Sequence, residues 1–176
     1  KDLKKFTKEK VKTRAEKNNE SEKYDTKTAV EICKKGWLGI SAPEKYEGGG
    51  KNPLWTYEII RTFSQEDITA AAIITGQFTL VAEILINECQ EDIKNNYVPR
   101  ILNGEINGCY ALTEPDAGSN PSEMKSRVKK TEKGWILNGQ KMWITNGNIA
   151  DLAIVYAKED DAVSCFLVDM KSKGIS

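Results

Sequence analysis

The chain has 176 residues, 39% hydrophobic and 30% charged, and its 26 basic and 26 acidic side chains cancel to a formal net charge of zero. That is enough chain for one globular domain or two small ones, with no overall basic field to draw it to nucleic acid or an anionic membrane. Histidine is absent, which excludes His-containing zinc sites and every Ser-His or Cys-His nucleophilic arrangement.

The first two dozen residues mix lysine with glutamate and read as a solvated helix face. Their opening, KDLKKFTKEK, lacks the apolar stretch of a secretory signal. Asp25 to Gly36 predicts a helix with Ala29, Val30 and Cys33 on one stripe and Ile32 beside it. Lysines crowd its last turn and Gly36 ends it. Pro43 and Gly48-Gly49-Gly50 mark a loop. Asn52-Pro53 opens the next helix, where Trp55, Ile59, Ile60 and Phe63 fall near helical spacing. Ile68 to Asn87 reads as a long apolar helix, buried on most sides. Gln90 to Asn103 reads as amphipathic and interrupted at Pro99. No apolar run reads as long enough for a membrane span, and cysteines 33, 89, 109 and 165 read as reduced, buried thiols.

At Gly104 the character changes. Residues 107–113, 127–131, 134–137, 141–145, 151–158 and 164–170 predict short strands. Asn138-Gly139 is a strong hairpin signal, with Glu132-Lys133-Gly134 and Asn146-Gly147 as further turns. The fold expected is α+β: an all-α helical domain over residues 1–106, then an antiparallel β domain, a partial barrel, over 107–176.

Two loops of that second domain stand out. CYALTEPDAGSN (109–120) carries Tyr110, Thr113 and Ser119, and GQKMWITNG (139–147) carries Trp143 and Thr145. On a strand, Trp143 and Thr145 point to the same face. A flat, polar-edged, phosphate-bearing cofactor needs an aromatic wall, hydroxyls and free backbone N–H groups. From spacing alone, Thr113–Ser119 reads first as a turn joining two strands, and Trp143 as a core indole beside a surface threonine. Gly48-Gly-Gly-Lys-Asn52 fails the phosphate-loop pattern and no G-x-G-x-x-G follows a strand, so a nicotinamide Rossmann site is not expected. Glu114 and Asp116 are not read as an acid–base pair, because Glu114 precedes a proline on a loop.

The same residues carry a family resemblance. Tyr110-Ala-Leu-Thr-Glu-Pro-Asp-Ala-Gly-Ser119 resembles the first signature of the acyl-CoA dehydrogenases, and Lys141-Met-Trp-Ile-Thr-Asn-Gly147 resembles their flavin-side motif. Gly36-Trp-Leu-Gly-Ile-Ser-Ala-Pro-Glu-Lys-Tyr-Glu-Gly-Gly49 is similar to the family's Pro-Glu-x-Tyr-Gly-Gly segment, and Tyr97-Val-Pro-Arg100 with Gly104-Glu105 to its Tyr-Leu-Pro and Gly-Glu stretch. The resemblance implies FAD held by Tyr110, Ala111, Leu112, Thr113, Gly118, Ser119, Trp143, Ile144 and Thr145. Thr113 would lie near the pyrimidine edge, Trp143 against the isoalloxazine, Thr145 near N5, and Ser119 also near the CoA portion of the substrate. Asn120 departs from the pattern, which has Asp there.

The implied reaction is α,β-desaturation of an acyl-CoA thioester, in fatty acid metabolism, with electrons leaving through an electron-transfer flavoprotein. The implied assembly is a homotetramer in the cytoplasm, or in an organelle matrix if the source is eukaryotic. The family's catalytic glutamate belongs to a C-terminal helical domain that this sequence does not contain. No catalytic residue and no metal ligand is assigned, and the piece alone is expected to be inactive. Gly-Cys-Tyr-Ala-Leu-Thr and Asn-Pro-Ser-Glu-Met resemble the glutaryl-CoA branch, but alanines at 70–72 stand where that branch places an arginine, which argues against a dicarboxylic substrate. Gln77 reads as a core amide or a pocket residue. The alternatives are a truncated, non-catalytic binding or scaffold module, and a flavin oxidase or monooxygenase of the same superfamily.

Overall fold

The N-terminal lysines ride on a helix with one buried edge. In the computed structural model, which describes residues 2–22, 25–132 and 134–176, α1 (Asp2–Phe6) runs through a π-helical turn (Thr7–Val11) into α2 (Lys12–Ser21). Phe6, Thr7 and Val11 are buried, whereas α2 buries nothing. Phe6 meets Trp37 edge-on at 5.1 Å and Phe63 at 6.0 Å, so three aromatics anchor the lysine-rich segment to the core. A buried Phe contributes about 1.5–3 kcal/mol, which the solvated face does not oppose.

Helix α3 (Thr26–Lys34) begins on Asp25, whose carboxylate accepts the Thr28 N–H at 3.0 Å. It ends at Gly36, which sits at φ +65°. The Gly36 N–H reaches the Cys33 carbonyl and the Trp37 N–H the Ile32 carbonyl. The expected stripe is corrected. The buried pair is Thr28 and Ile32, one turn apart, while Val30 is 47% exposed and Cys33 only half-buried. Arg14 on α2 donates to the Thr28 hydroxyl at 3.1 Å and to Glu31 at 2.8 Å, so the inner face of α3 carries polar contacts beside its apolar one.

The 39–51 loop folds onto itself. Gly49 N–H donates to the Gly39 carbonyl and Lys51 N–H to that of Ile40. A Cβ on Gly48 would lie 2.2 Å from the Ala42 carbonyl oxygen, so those glycines serve close backbone packing rather than a phosphate.

Helix α4 (Leu54–Ser64) buries Ile59 and Phe63 and leaves Trp55 57% exposed, so the tryptophan is not part of its core face. The predicted long helix is α5 (Ile68–Ile74), a π-helical stretch (Thr75–Ala82) and α6 (Glu83–Glu88) end to end. Ile68–Glu88 is, by length and composition, apolar enough to cross a membrane, contrary to the sequence expectation; burial of Ala70, Ala71, Ile73, Ile74, Phe78, Val81, Ala82 and Leu85 marks it as the core helix of its unit. Helix α7 (Glu91–Leu102) is not interrupted at Pro99. Full burial of Val98 and Ile101 on either side holds the last turn against the lost hydrogen bond.

The chain divides into two compact units, Lys1–Ile106 and Asn107–Ser176. The second is a five-stranded sheet of β1 (Gly108–Ala111), β2 (Arg127–Thr131), β3 (Gly134–Asn138), β4 (Leu152–Glu159) and β5 (Ala162–Asp169). It is mixed, which corrects the antiparallel barrel. β4 is the centre: β5 pairs antiparallel along it, β1 pairs parallel with Leu152–Val155, and β2 joins parallel at Arg127–Lys158. A continuous apolar run, Leu152 to Val155, is what a strand flanked on both edges and covered on both faces requires. The β2–β3 hairpin forms; of the expected turn Glu132-Lys133-Gly134, Lys133 lies outside the described residues. No strand forms at 141–145, and Asn138-Gly139 makes no hairpin. A Cβ at Gly139 would lie 2.1 Å from the Ser126 Oγ, so this glycine lets two segments touch. Of the four cysteines, Cys109 alone is buried and Cys165 is exposed, which corrects the expectation of four buried thiols.

Candidate functional site

The two singled-out loops meet in the second unit. After β1 the chain runs on to Thr113, whose carbonyl accepts the Met142 N–H at 2.9 Å. Glu114 and Ala117 then bond across a tight turn, with the Glu114 N–H on the Ala117 carbonyl at 2.7 Å. The Thr113 and Trp143 segments are therefore neighbours, joined through the backbone.

The tryptophan loop gets its shape from an anchor and two unusual dihedrals. Ile144 packs against the cluster of Cys109, Ala111, Ala153 and Val155. Its neighbours Trp143 and Thr145 are both exposed, the indole by 85%. Both therefore avoid the core, which corrects the core-indole reading taken from spacing; turn geometry does this and not strand alternation. Trp143 takes φ +59° and Asn146 φ +65°. A left-handed tryptophan is costly, and such strain persists only where the surroundings impose it. Gly147 N–H on the Ile144 carbonyl and Ile149 N–H on that of Asn146 close the turn.

The other predicted residues divide. Ala111 faces the cluster with Ile144. Tyr110, one residue away on β1, faces the opposite side and meets Tyr156 at 5.3 Å, so the structure does not bring its ring to the Ile144 side. Leu112 contributes its carbonyl, and a Cβ placed on Gly118 would come within 3.4 Å of the Thr113 methyl. Ser119 is exposed. Asn120 engages both ends of its amide. Its oxygen accepts from the Ser122 N–H and hydroxyl, and its nitrogen donates to Glu123 at 2.8 Å, so the departure from Asp is absorbed by the short helical turn Pro121–Glu123.

Sequence reasoning missed Lys141. Its Nζ donates to the Leu112 carbonyl at 3.0 Å and to Glu114 Oε1 at 2.8 Å. The Glu114 carboxylate also accepts the N–H groups of Lys125 and Ser126. Burial pushes its pKa up, but the bond from Lys141 and those two N–H groups outweigh it and hold it at about 2. Such a carboxylate stays ionised and is no general base near neutrality. The available signal was a lone lysine beside an apolar Met-Trp-Ile run, two residues after a glycine.

The surface so built offers an exposed indole, exposed residues Thr145 and Ser119 with their hydroxyls, and a buried Asn146 Nδ2 with no hydrogen-bond partner among the described residues. These fit a flat heteroaromatic ring with hydrogen-bonding edges. Among the described residues no cluster of His, Cys, Asp or Glu is gathered to hold a metal.

A helical unit followed by this sheet, with its two linked loops, defines a class. Residues 1–105 match the N-terminal domain of acyl-CoA dehydrogenases and residues 109–176 match their middle domain; the chain belongs to the acyl-CoA dehydrogenase family. It is similar to mitochondrial isovaleryl-CoA dehydrogenase of Pongo abelii, 35% identical over 148 residues, covering 80% of this chain and 35% of that protein. Among solved structures it resembles a glutaryl-CoA dehydrogenase from Mycobacterium smegmatis in complex with FADH2, at TM-score 0.93 and 34% identity, covering 98% of this chain and 44% of the other. It also resembles a chain from the structure describing the electron transferring flavoprotein of Acidaminococcus fermentans, at TM-score 0.93 and 26% identity, covering 98% and 47%. The chain thus spans about a third to a half of the length of these relatives.

Proposed function

We propose that this chain supplies the helical N-terminal unit and part of the middle unit of an FAD-dependent acyl-CoA dehydrogenase. The observation that carries this is the left-handed, 85% exposed Trp143, flanked by exposed Thr145 and tied through Met142 to Thr113. An indole held in strain toward solvent has a use only if something flat covers it.

When bound, FAD supplies the hydride acceptor for desaturation of an acyl-CoA. The protein's part is seating. Trp143 walls one side of the ring system, the Thr145 hydroxyl donates to its edge, and the backbone from Ala111 to Thr113 lines the neighbouring edge, with Gly118 allowing close approach. Ile144 is the anchor beneath. Ser119 meets the region where cofactor and CoA converge. Tyr110 enters as a strand residue whose ring packs on Tyr156. The base that removes the α-proton is not among these residues. Glu114, held ionised by Lys141, is not a substitute.

The acyl group is proposed to be apolar and monocarboxylic, since Ile68–Ile74 in α5 carries no cation. An electron-transfer flavoprotein is the proposed acceptor, and the protein of which this chain is part is proposed to be a homotetramer. A mitochondrial relative supports an organelle matrix if the source is eukaryotic. The test is the intact protein: flavin absorbance at isolation, bleaching by saturated acyl-CoAs, and oxygen uptake without acceptor. Bleaching with slow oxygen uptake supports a dehydrogenase; rapid uptake identifies an oxidase instead. Absence of FAD binding returns the chain to a non-catalytic module.

A further inference from the structure

The Glu114 side chain is 3% exposed and that of Lys141 12%, so their ion pair is a buried one. Its position in sequence is what gives it reach. Glu114 directly follows Thr113, and Lys141 stands two residues before Trp143. The Lys141 ammonium spans the Leu112 carbonyl and the Glu114 carboxylate, and the carboxylate in turn gathers the Lys125 and Ser126 N–H groups at the entry to β2. The Lys125 ammonium is itself engaged by Asp116 and does not compete for Glu114. Three segments converge on a single charge pair, and the Met142–Thr113 hydrogen bond joins the residues next to Lys141 and Glu114 in sequence.

We infer that Lys141 and Glu114 are the positioning pair of the flavin-facing surface, fixing the separation between the Thr113 edge and the Trp143 wall. This rests on the flavin reading of that surface. Ion-pair and hydrogen-bond distances are set within a few tenths of an ångström, whereas apolar packing alone lets two loops slide. Removing one partner leaves a buried charge that must find water, and the route to water is separation of the loops. Neither residue touches the ring; both act through their neighbours.

The test uses the intact protein with Lys141→Met, Lys141→Arg and Glu114→Gln. Three quantities are read: hydrogen exchange of the Met142 amide in flavin-free protein, FAD affinity by flavin fluorescence, and the thermal midpoint. Lys141→Met is expected to speed Met142 exchange by about tenfold or more relative to β4 amides, and to weaken FAD binding by about tenfold or more. Lys141→Arg, which keeps the charge, is expected to restore both. If Lys141→Met does not fold, Glu114→Gln carries the same expectation. Unchanged Met142 exchange, or faster exchange with full FAD affinity, overturns the inference. A wild-type protein that binds no FAD, yet shows the exchange response, overturns the flavin reading and with it the positioning role, leaving a purely structural clamp.

Discussion

The Met142 N–H donates to the Thr113 carbonyl at 2.9 Å, joining the loop that leaves β1 to the loop that carries Trp143. Everything proposed for the second unit runs through that junction. On one side lies the backbone of Leu112 and Thr113; on the other lies an indole turned to solvent at φ +59°. Ile144 pins the second side to the sheet.

Trp143 contributes little to folding, because its side chain is almost wholly exposed. Trp143→Ala is expected to change unfolding free energy by no more than about 0.5 kcal/mol. Its FAD affinity is expected to fall by about tenfold or more, as loss of an aromatic stacking surface implies. Urea melts and flavin titration on one preparation separate the two effects.

Acid stability tests Glu114. Its folded-state pKa is held at about 2 against an ordinary value of 4.5. The stabilisation is fully present above pH 4.5 and is lost as pH falls from there toward 2, on the order of 3 kcal/mol in all. Glu114→Gln is expected to lower stability at pH 7 and to flatten the curve between pH 4.5 and 2. Denaturant midpoints across that range measure it.

Two glycines separate crowding from backbone strain. Gly139→Ala places a methyl 2.1 Å from the Ser126 Oγ and is expected to cost about 2 kcal/mol or more. Gly36→Ala meets nothing within 4 Å but must hold φ +65°, and is expected to cost about 1 kcal/mol. Chemical denaturation of the two variants gives the ranking.

Thiol reactivity should follow exposure and pKa. Cys165 is exposed, whereas burial pushes the Cys33 and Cys109 thiols up to about 11. Iodoacetamide at pH 8 is expected to label Cys165 first and Cys109 last, read by peptide mass mapping. Early labelling of Cys109 would show that the β1–β4 cluster opens.

Local signals carried much of the architecture. The helical first half and strand-built second half followed from the change of periodicity near Gly104. β2 spans the predicted 127–131, and Gly36 ends α3 as its position implies. Long-range relations were not legible. That β1 lies parallel to β4 depends on residues some 44 positions apart, such as Gly108 and Leu152, and no local pattern encodes it. Asn138-Gly139 has the chemistry of a hairpin turn, but its glycine answers to Ser126 across space. Pro99 was read as a break because the burial of Val98 and Ile101 that overrides it is tertiary. Trp143 and Thr145 stand out in the sequence as a pair, yet their outward aim comes from a left-handed turn and the Ile144 anchor. The Lys141–Glu114 pair joins residues 27 positions apart, which is why it surfaced only in three dimensions.

The most direct measurement is FAD titration of the flavin-free intact protein, following Trp143 fluorescence against a Trp143→Phe control. Saturable quenching at one FAD per chain is expected, largely lost in the control, with flavin absorbance that acyl-CoA then bleaches. Absence of FAD binding, or binding with Trp143 emission unchanged, would contradict it.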